Sequence, residues 1–201
     1  MKAVLISIQP KWCELIANGE KMIEVRKTKP KLETPFKVYI YCTKGNVHDA
    51  LIIGGNAKLI HCIDYTKAIP VGGYIGNGNV VGEFVCDKIF EIEYQCGSYK
   101  CKGLTVLEND RVASASKLSL YDMRSYLSCN NGYGWHISNP VIYDKPKELS
   151  EFYVSIKDHW ETYDPSNYIN GCWQKPLKRP PQSWCYVEEV GEGDEKIRNV
   201  L

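Results

Sequence analysis

Nine cysteines are scattered through the chain without a single C-x-x-C pair, and Cys96 and Cys101 are separated by four residues. That spacing gives no zinc-finger or zinc-ribbon pattern, so the sequence predicts no metal site and no cofactor. The thiols read instead as reduced cysteines of a cytoplasmic protein, each a small buried hydrophobe. Long apolar runs are missing too: no stretch approaches the roughly eighteen residues of a membrane helix. Ala3-Val4-Leu5-Ile6, directly after Met1-Lys2, is too short for the core of a secretion signal. No membrane partner is therefore expected. Charge of one sign is also not in excess, since the formal net charge is +1, and nothing steers the whole molecule toward nucleic acid. Neither G-x-x-x-x-G-K-[ST] nor a strand–GxGxxG–helix unit occurs, which removes the common phosphate-cradling loops.

What remains is a chain of 201 residues, 44% hydrophobic and 24% charged, long enough to bury roughly 70% of its unfolded surface. Fourteen tyrosines and five tryptophans supply flat stacking surface. Charge is segregated locally. Residues 1–44 hold nine Lys or Arg against four Glu, a net of +5, and residues 186–201 hold five acids against two bases, a net of −3.

The most informative stretch runs from Ser7 to Arg26, SIQPKWCELIANGEKMIEVR. Pro10 suits a first helical turn, where its missing N–H would have no partner anyway. Trp12, Leu15 and Ile16 recur at helical spacing, and Asn18-Gly19 is a helix stop. A second strand then begins with Lys21, Glu24 and Arg26 within six residues. Such charges at a strand end are ordinarily solvated; two cations and an anion at the mouth of a helix–strand turn also make a candidate anion or base pocket. Gly19-Glu20-Lys21-Met22-Ile23-Glu24-Val25-Arg26 closely resembles the G-x-K-x-x-E-x-R signature of the ASCH domain, a member of the PUA-like superfamily.

Further along, Lys37 to Thr43 alternates and is rich in aromatic and β-branched residues, so it reads as a strand. Residues 44–79, punctuated by Gly54-Gly55, Gly72-Gly73 and Gly76-Asn-Gly-Asn79, read as loops and turns, with His48 and His61 lacking ligand partners at useful spacing. Val80 to Phe90 reads as a strand placing Val81, Glu83, Val85 and Ile89 on one face. A carboxylate among valines is costly unless paired or used, and such desolvation is how general bases are made; a lysine partner at the rim is the simpler account of Glu83. Residues 95–134 read as an excursion: a polar loop from Gln95 to Lys102, then a helix over Lys117–Leu127 with Leu120, Met123 and Leu127 at helical spacing. Trp135 to Tyr143 reads as a strand that Pro140 confines to an edge or a bulge. Residues 150–180, with Trp160, Tyr163, Tyr168 and Trp173, form a polar, aromatic-rich segment. Trp184 and Tyr186 share a face of a last strand, where they either pack in the core or stack on a base.

Tyr133-Gly-Trp-His-Ile, Tyr143-Asp-Lys-Pro-Lys-Glu-Leu149 and Arg179-Pro-Pro-Gln-Ser-Trp184 are similar to later segments of ASCH proteins of phages and prophages, and the Val80–Phe90 strand resembles their glycine-containing central strand with its glutamate. The resemblance covers residues 1–188. It implies an α+β fold of PUA-like type, a small mixed β-barrel flanked by short helices, as one domain with insertions near 44–79 and 95–134 and an acidic tail at 189–201. It implies an RNA- or modified-nucleotide-binding module. Within the wider family are also an N4-acetylcytidine amidohydrolase and proteins with ribonuclease activity. The amidohydrolase set is a lysine, a threonine three residues later and a glutamate on the central strand. By motif, Lys21 and Glu83 match the first and last, Arg26 matches a nearby arginine, and Glu24 stands where the threonine would be.

That exchange sets the chemistry expected of the site. A carboxylate beside Lys21 favours its ammonium form, which anchors a phosphate or a base oxygen but is a poor base, and the nucleophilic hydroxyl is gone. Binding is therefore the leading expectation, with Lys21, Arg26, Lys11, Lys27 and Lys29 forming a basic rim and Trp12 and Trp184 supplying aromatic surface. A small metal-independent hydrolase is the alternative, with Glu83 as general base, Glu24 or a water as its partner, and Lys21 with Arg26 stabilising an anion. A protein-interaction module using the tyrosine-rich insertions is a third reading.

Overall fold

A computed structural model describes residues 2–45, 49–54, 57–62, 69–156, 168–169 and 172–189. His48, Trp160, Tyr163 and the acidic tail beyond 189 lie outside the described residues. In chain order the strands are β1 (Ala3–Ile8), β2 (Ile23–Arg26), β3 (Phe36–Cys42), β4 (Ala50–Gly54), β5 (Ala57–Cys62), β6 (Tyr74–Ile75), β7 (Val80–Gln95), β8 (Ser98–Cys101), β9 (Gly132–Lys147), β10 (Phe152–Ser155), β11 (Tyr168–Ile169), β12 (Cys172–Pro176) and β13 (Trp184–Glu189). The helices are α1 (Pro10–Ala17), α2 (Val106–Ser116) and α3 (Leu120–Leu127). Among the described residues no helix is long and apolar enough to cross a membrane.

Ten strands form one mixed sheet in the order β11-β12-β10-β13-β1-β3-β7-β9-β2, with β8 paired to β7 off that path. Among the described strands only β1 and β3 pair in parallel, as expected for strands joined by a connection long enough to include a helix. The barrel expected from the resemblance does not form: the sheet is an open path whose end strands, β2 and β11, do not pair with each other. β2 is four residues long and ladders only with β9, through Ile23–Arg26 against Tyr133–His136. Towards β1 the Arg26 side chain reaches across instead, with Nη2 donating to Ser7 O at 2.8 Å.

Alternation along the strands divides the core. Val4, Ile6, Val38, Ile40, Phe84 and Trp135 face α1, whose Cys13 and Ile16 are buried among them. Leu5, Tyr39, Tyr41, Val80 and Phe152 form a cluster on the other face. A third cluster lies under α2 and α3, where Met123 and Leu127 meet Ile23, Val25 and Ile92.

Residues 44–79 are more regular than their glycines suggest. β5, β4 and β6 make a separate three-stranded sheet, and Gly73 sits where an added Cβ would fall 2.9 Å from Pro70 O. The polar loop expected from Gln95 to Lys102 is the end of β7 turning into β8, with Ile92 opposite Cys101. β9 carries Pro140 in a bulge, since Ser138 pairs with Val85 and Val141 with Glu83, leaving two residues on β9, Asn139 and Pro140, against one on β7, Phe84. The adjoining Asn139 takes a positive φ of 49°. Outer pairing of β9 with β2 has already ended at His136, so the proline costs no ladder bond there.

Candidate functional site

The turn from α1 into β2 builds the site as its sequence suggests. Pro10 occupies the first turn of α1, Asn18 caps its end, and Gly19 follows with φ 73°. The backbone N–H groups of Glu20 and Lys21 both donate to Leu15 O at 2.9 Å, folding the chain back on the helix. Met22 then bonds backbone to backbone with Ala115 of α2 at 2.9 Å and with Ile137 of β9 at 2.8 Å. In β2 the apolar Ile23 and Val25 turn toward α2 and α3, so Glu24 and Arg26 point the opposite way.

Lys21, Glu24 and Arg26 are 2%, 7% and 6% exposed. Lys21 Nζ lies 3.4 Å from Glu24 Oε2, and Arg26 Nη2 lies 3.0 Å from Glu24 Oε1. Lys21 Nζ also donates to Ser116 O at 2.5 Å. Ser116 ends α2, and the carbonyls of a helix C-terminus favour a cation. The ring of Trp12 is 5.0 Å from Nζ, while Arg26 Nη1 donates to Ser183 Oγ at 3.4 Å. Arg26 Nε is buried without a hydrogen-bond partner among the described residues, and Glu24 Oε2 has only its 3.4 Å ion-pair contact with Lys21 Nζ. Nearly every buried polar atom in a folded protein has a hydrogen-bond partner, so these mark a specialised place.

Burial works against the charge expectation for Lys21. Glu24 does raise its pKa, but desolvation is the larger effect, and the amine is held below the usual lysine value of 10.5. Its ammonium form is less secure than its carboxylate neighbour alone would make it.

The triad opens into a cleft of about 650 Å³. Trp12 and Gln9 of the α1 turn form one side, and Leu118, Tyr121, Asp122, Ser125 and Tyr126 form another. Lys27 stands at the edge, its ammonium 5.5 Å from the Tyr126 ring. Thus α3, part of the segment read as an excursion, is a wall of the site.

The other expected residues are placed elsewhere. Glu83 faces the opposite side of the sheet, opposite Tyr39 in the ladder, where it pairs with Lys37 Nζ at 2.9 Å and accepts from Tyr143 Oη at 2.5 Å. Register shifts in β7 break the alternation that would have put Val81 and Glu83 on one face: Val81 packs with the α1 cluster and Glu83 does not. The lysine partner is therefore the account of Glu83 that the structure bears out, and a shared cavity with Lys21 is not. Trp184 does share a face with Tyr186, their rings 5.3 Å apart, but it packs 5.8 Å from Trp135 and donates to Thr28 Oγ1 rather than lining the cleft. Lys29 pairs with Glu91 at 3.0 Å. Lys11 is exposed over Trp12, outside the cleft lining. Among the described residues no group of three or more His, Cys, Asp or Glu side chains is arranged to hold a metal ion.

No protein-family model matches this sequence, and no curated protein matches it. Among solved structures it is similar to the ASCH protein of Zymomonas mobilis, at 14% identity and a TM-score of 0.49 over 98% of this chain and 94% of that one. A point mutant of the same protein matches at 15% identity and a TM-score of 0.49, covering 100% and 99% of the two chains. The likeness is one of fold.

Proposed function

We propose that the cleft binds RNA or a modified nucleotide, with the Lys21–Glu24–Arg26 floor reading a base and Lys27 meeting a phosphate. The observation that carries this reading is the buried, incompletely hydrogen-bonded charge triad at the bottom of a cleft walled by Trp12, Tyr121 and Tyr126. A carboxylate between two cations offers acceptors and donors side by side, which is what a base edge requires. The aromatics supply stacking surface that tolerates any base. Sequence likeness to the ASCH signature over Gly19–Arg26 agrees with this use of the turn.

Hydrolysis of a modified nucleoside or of RNA is the second reading, favoured by one observation: burial lowers the pKa of Lys21, which raises the share of neutral amine able to accept a proton or attack a carbonyl. Glu83 has no part in such a scheme, because it lies on the other face of the sheet. Glu24 would be the carboxylate available to it.

Purified protein is screened against modified nucleosides, N4-acetylcytidine among them, and short RNAs, scoring retention and product together. Binding predicts retained, chemically unchanged ligand. Lys27→Glu, an exposed change, then weakens affinity, and Lys21→Ala costs about tenfold or more, the worth of a charged hydrogen bond. Product formation that Lys21→Ala stops would favour hydrolysis, and neither retention nor product would reject both.

A further inference from the structure

α3 has two working faces, and only one is explained by folding. Met123 and Leu127 bury one side against Ile23, Val25 and Ile92. The other side presents Tyr121, Asp122, Ser125 and Tyr126 to the cleft, at positions about one turn apart. Tyr121 is 80% exposed, so its ring adds little to the stability of the fold. An aromatic ring held out on the lip of a polar cleft, on a helix fixed from behind, is free stacking surface. Beside it Lys27 lies over Tyr126, placing a cation on the same wall. The triad lines the same cleft, with the Trp12 ring 5.0 Å from Lys21 Nζ.

Resting on the reading that the cleft takes a nucleotide, we infer that Tyr121 is a stacking residue for a second base. The ligand is then a single-stranded oligonucleotide rather than a free nucleoside. One base occupies the Lys21–Glu24–Arg26 floor, its neighbour lies on Tyr121, and Lys27 neutralises the phosphate between them. Stacking of this kind is indifferent to sequence and sensitive to the loss of the ring.

The test uses the full chain with fluorescein-labelled homopolymer pentamers of each base, in ribo and deoxyribo form, and the matching 5′-monophosphates as competitors. Tyr121→Ala and Tyr121→Phe are compared with wild type, with thermal midpoints recorded for all three. The expected result is a pentamer held at least about tenfold more tightly than its monophosphate. Tyr121→Ala should lose at least about fivefold for the pentamer, keep its monophosphate affinity and its thermal midpoint, and be rescued by Tyr121→Phe. Preference for either sugar satisfies the inference and identifies the source of the strand. If Tyr121→Ala binds the pentamer as tightly as wild type, or the pentamer binds no better than the monophosphate, the inference is overturned while the cleft reading stands. If wild type binds neither probe, both are overturned.

Discussion

Lys21 shows how a single residue can be well partnered and still strained electrostatically. It has a carboxylate, a helix-end carbonyl and an indole face around it, yet burial outweighs them and its pKa falls. A folded-state value below the unfolded value of about 10.5 means that the unfolded chain binds the proton more tightly. The burden on stability is then fully present below the folded pKa and is relieved as pH climbs toward 10.5. Urea unfolding of wild type and Lys21→Gln from pH 7 to 10 should show wild type gaining on the variant as pH rises. A difference that stays flat, or that shrinks for wild type, would contradict the account. The three residues of the triad were legible in the sequence because they lie within one short helix–strand turn, where local rules set the geometry. Glu83 was not, because its face depends on bulges in β7 that are fixed by pairing with β9, some sixty residues away in the chain.

At the scale of elements, legibility followed apolar periodicity. α3 could be read from Met123 and Leu127, both buried. α2 could not, since Ser116 is its only buried residue and Val106 and Leu107 at its start are exposed. Its one usable signal is the capping box Thr105-x-x-Glu108, in which each side chain bonds the other's backbone N–H. The same device starts α3, with Ser119 accepting from Asp122 N at 3.1 Å and Asp122 accepting from Ser119 N at 3.0 Å. Both helices serve the cleft, α2 by ending at the carbonyl that holds Lys21 and α3 by forming a wall. Ser119→Ala should lower stability by about 1 kcal/mol and Ser119→Gly by only a few tenths, measured by urea unfolding. Equal losses in the two variants would mean that the cap is not what starts the helix. The strands β4 and β5 have weak sequence signals for a related reason: runs of five and six residues near glycine-rich turns carry little pattern of their own.

For the whole molecule, the strands on each side of the opening motif were readable, and their closure was not. A barrel and an open sheet share local patterns and differ in which end strands pair, a choice made by contacts far apart in sequence. Here the end strands β2 and β11 do not pair with each other, and the side chain of Arg26 links β2 to β1. Ser7 and Ile8 of β1 and the adjoining Gln9 line the cleft together with β2, so the candidate site sits where Arg26 spans between these two strands. Gly82 lets the neighbouring strands approach closely, since a Cβ there would collide with Val141 O. The two faces of the sheet carry separate polar clusters, Lys21–Glu24–Arg26 on one and Lys37–Glu83–Tyr143 on the other. An amide and indole chemical-shift titration of labelled protein with a short single-stranded RNA distinguishes them directly. The account predicts shifts at the Trp12 indole, at Lys21–Lys27 and along residues 118–126, with Lys37, Glu83 and Tyr143 unmoved. Shifts confined to the Glu83 face, or none on either, would contradict it.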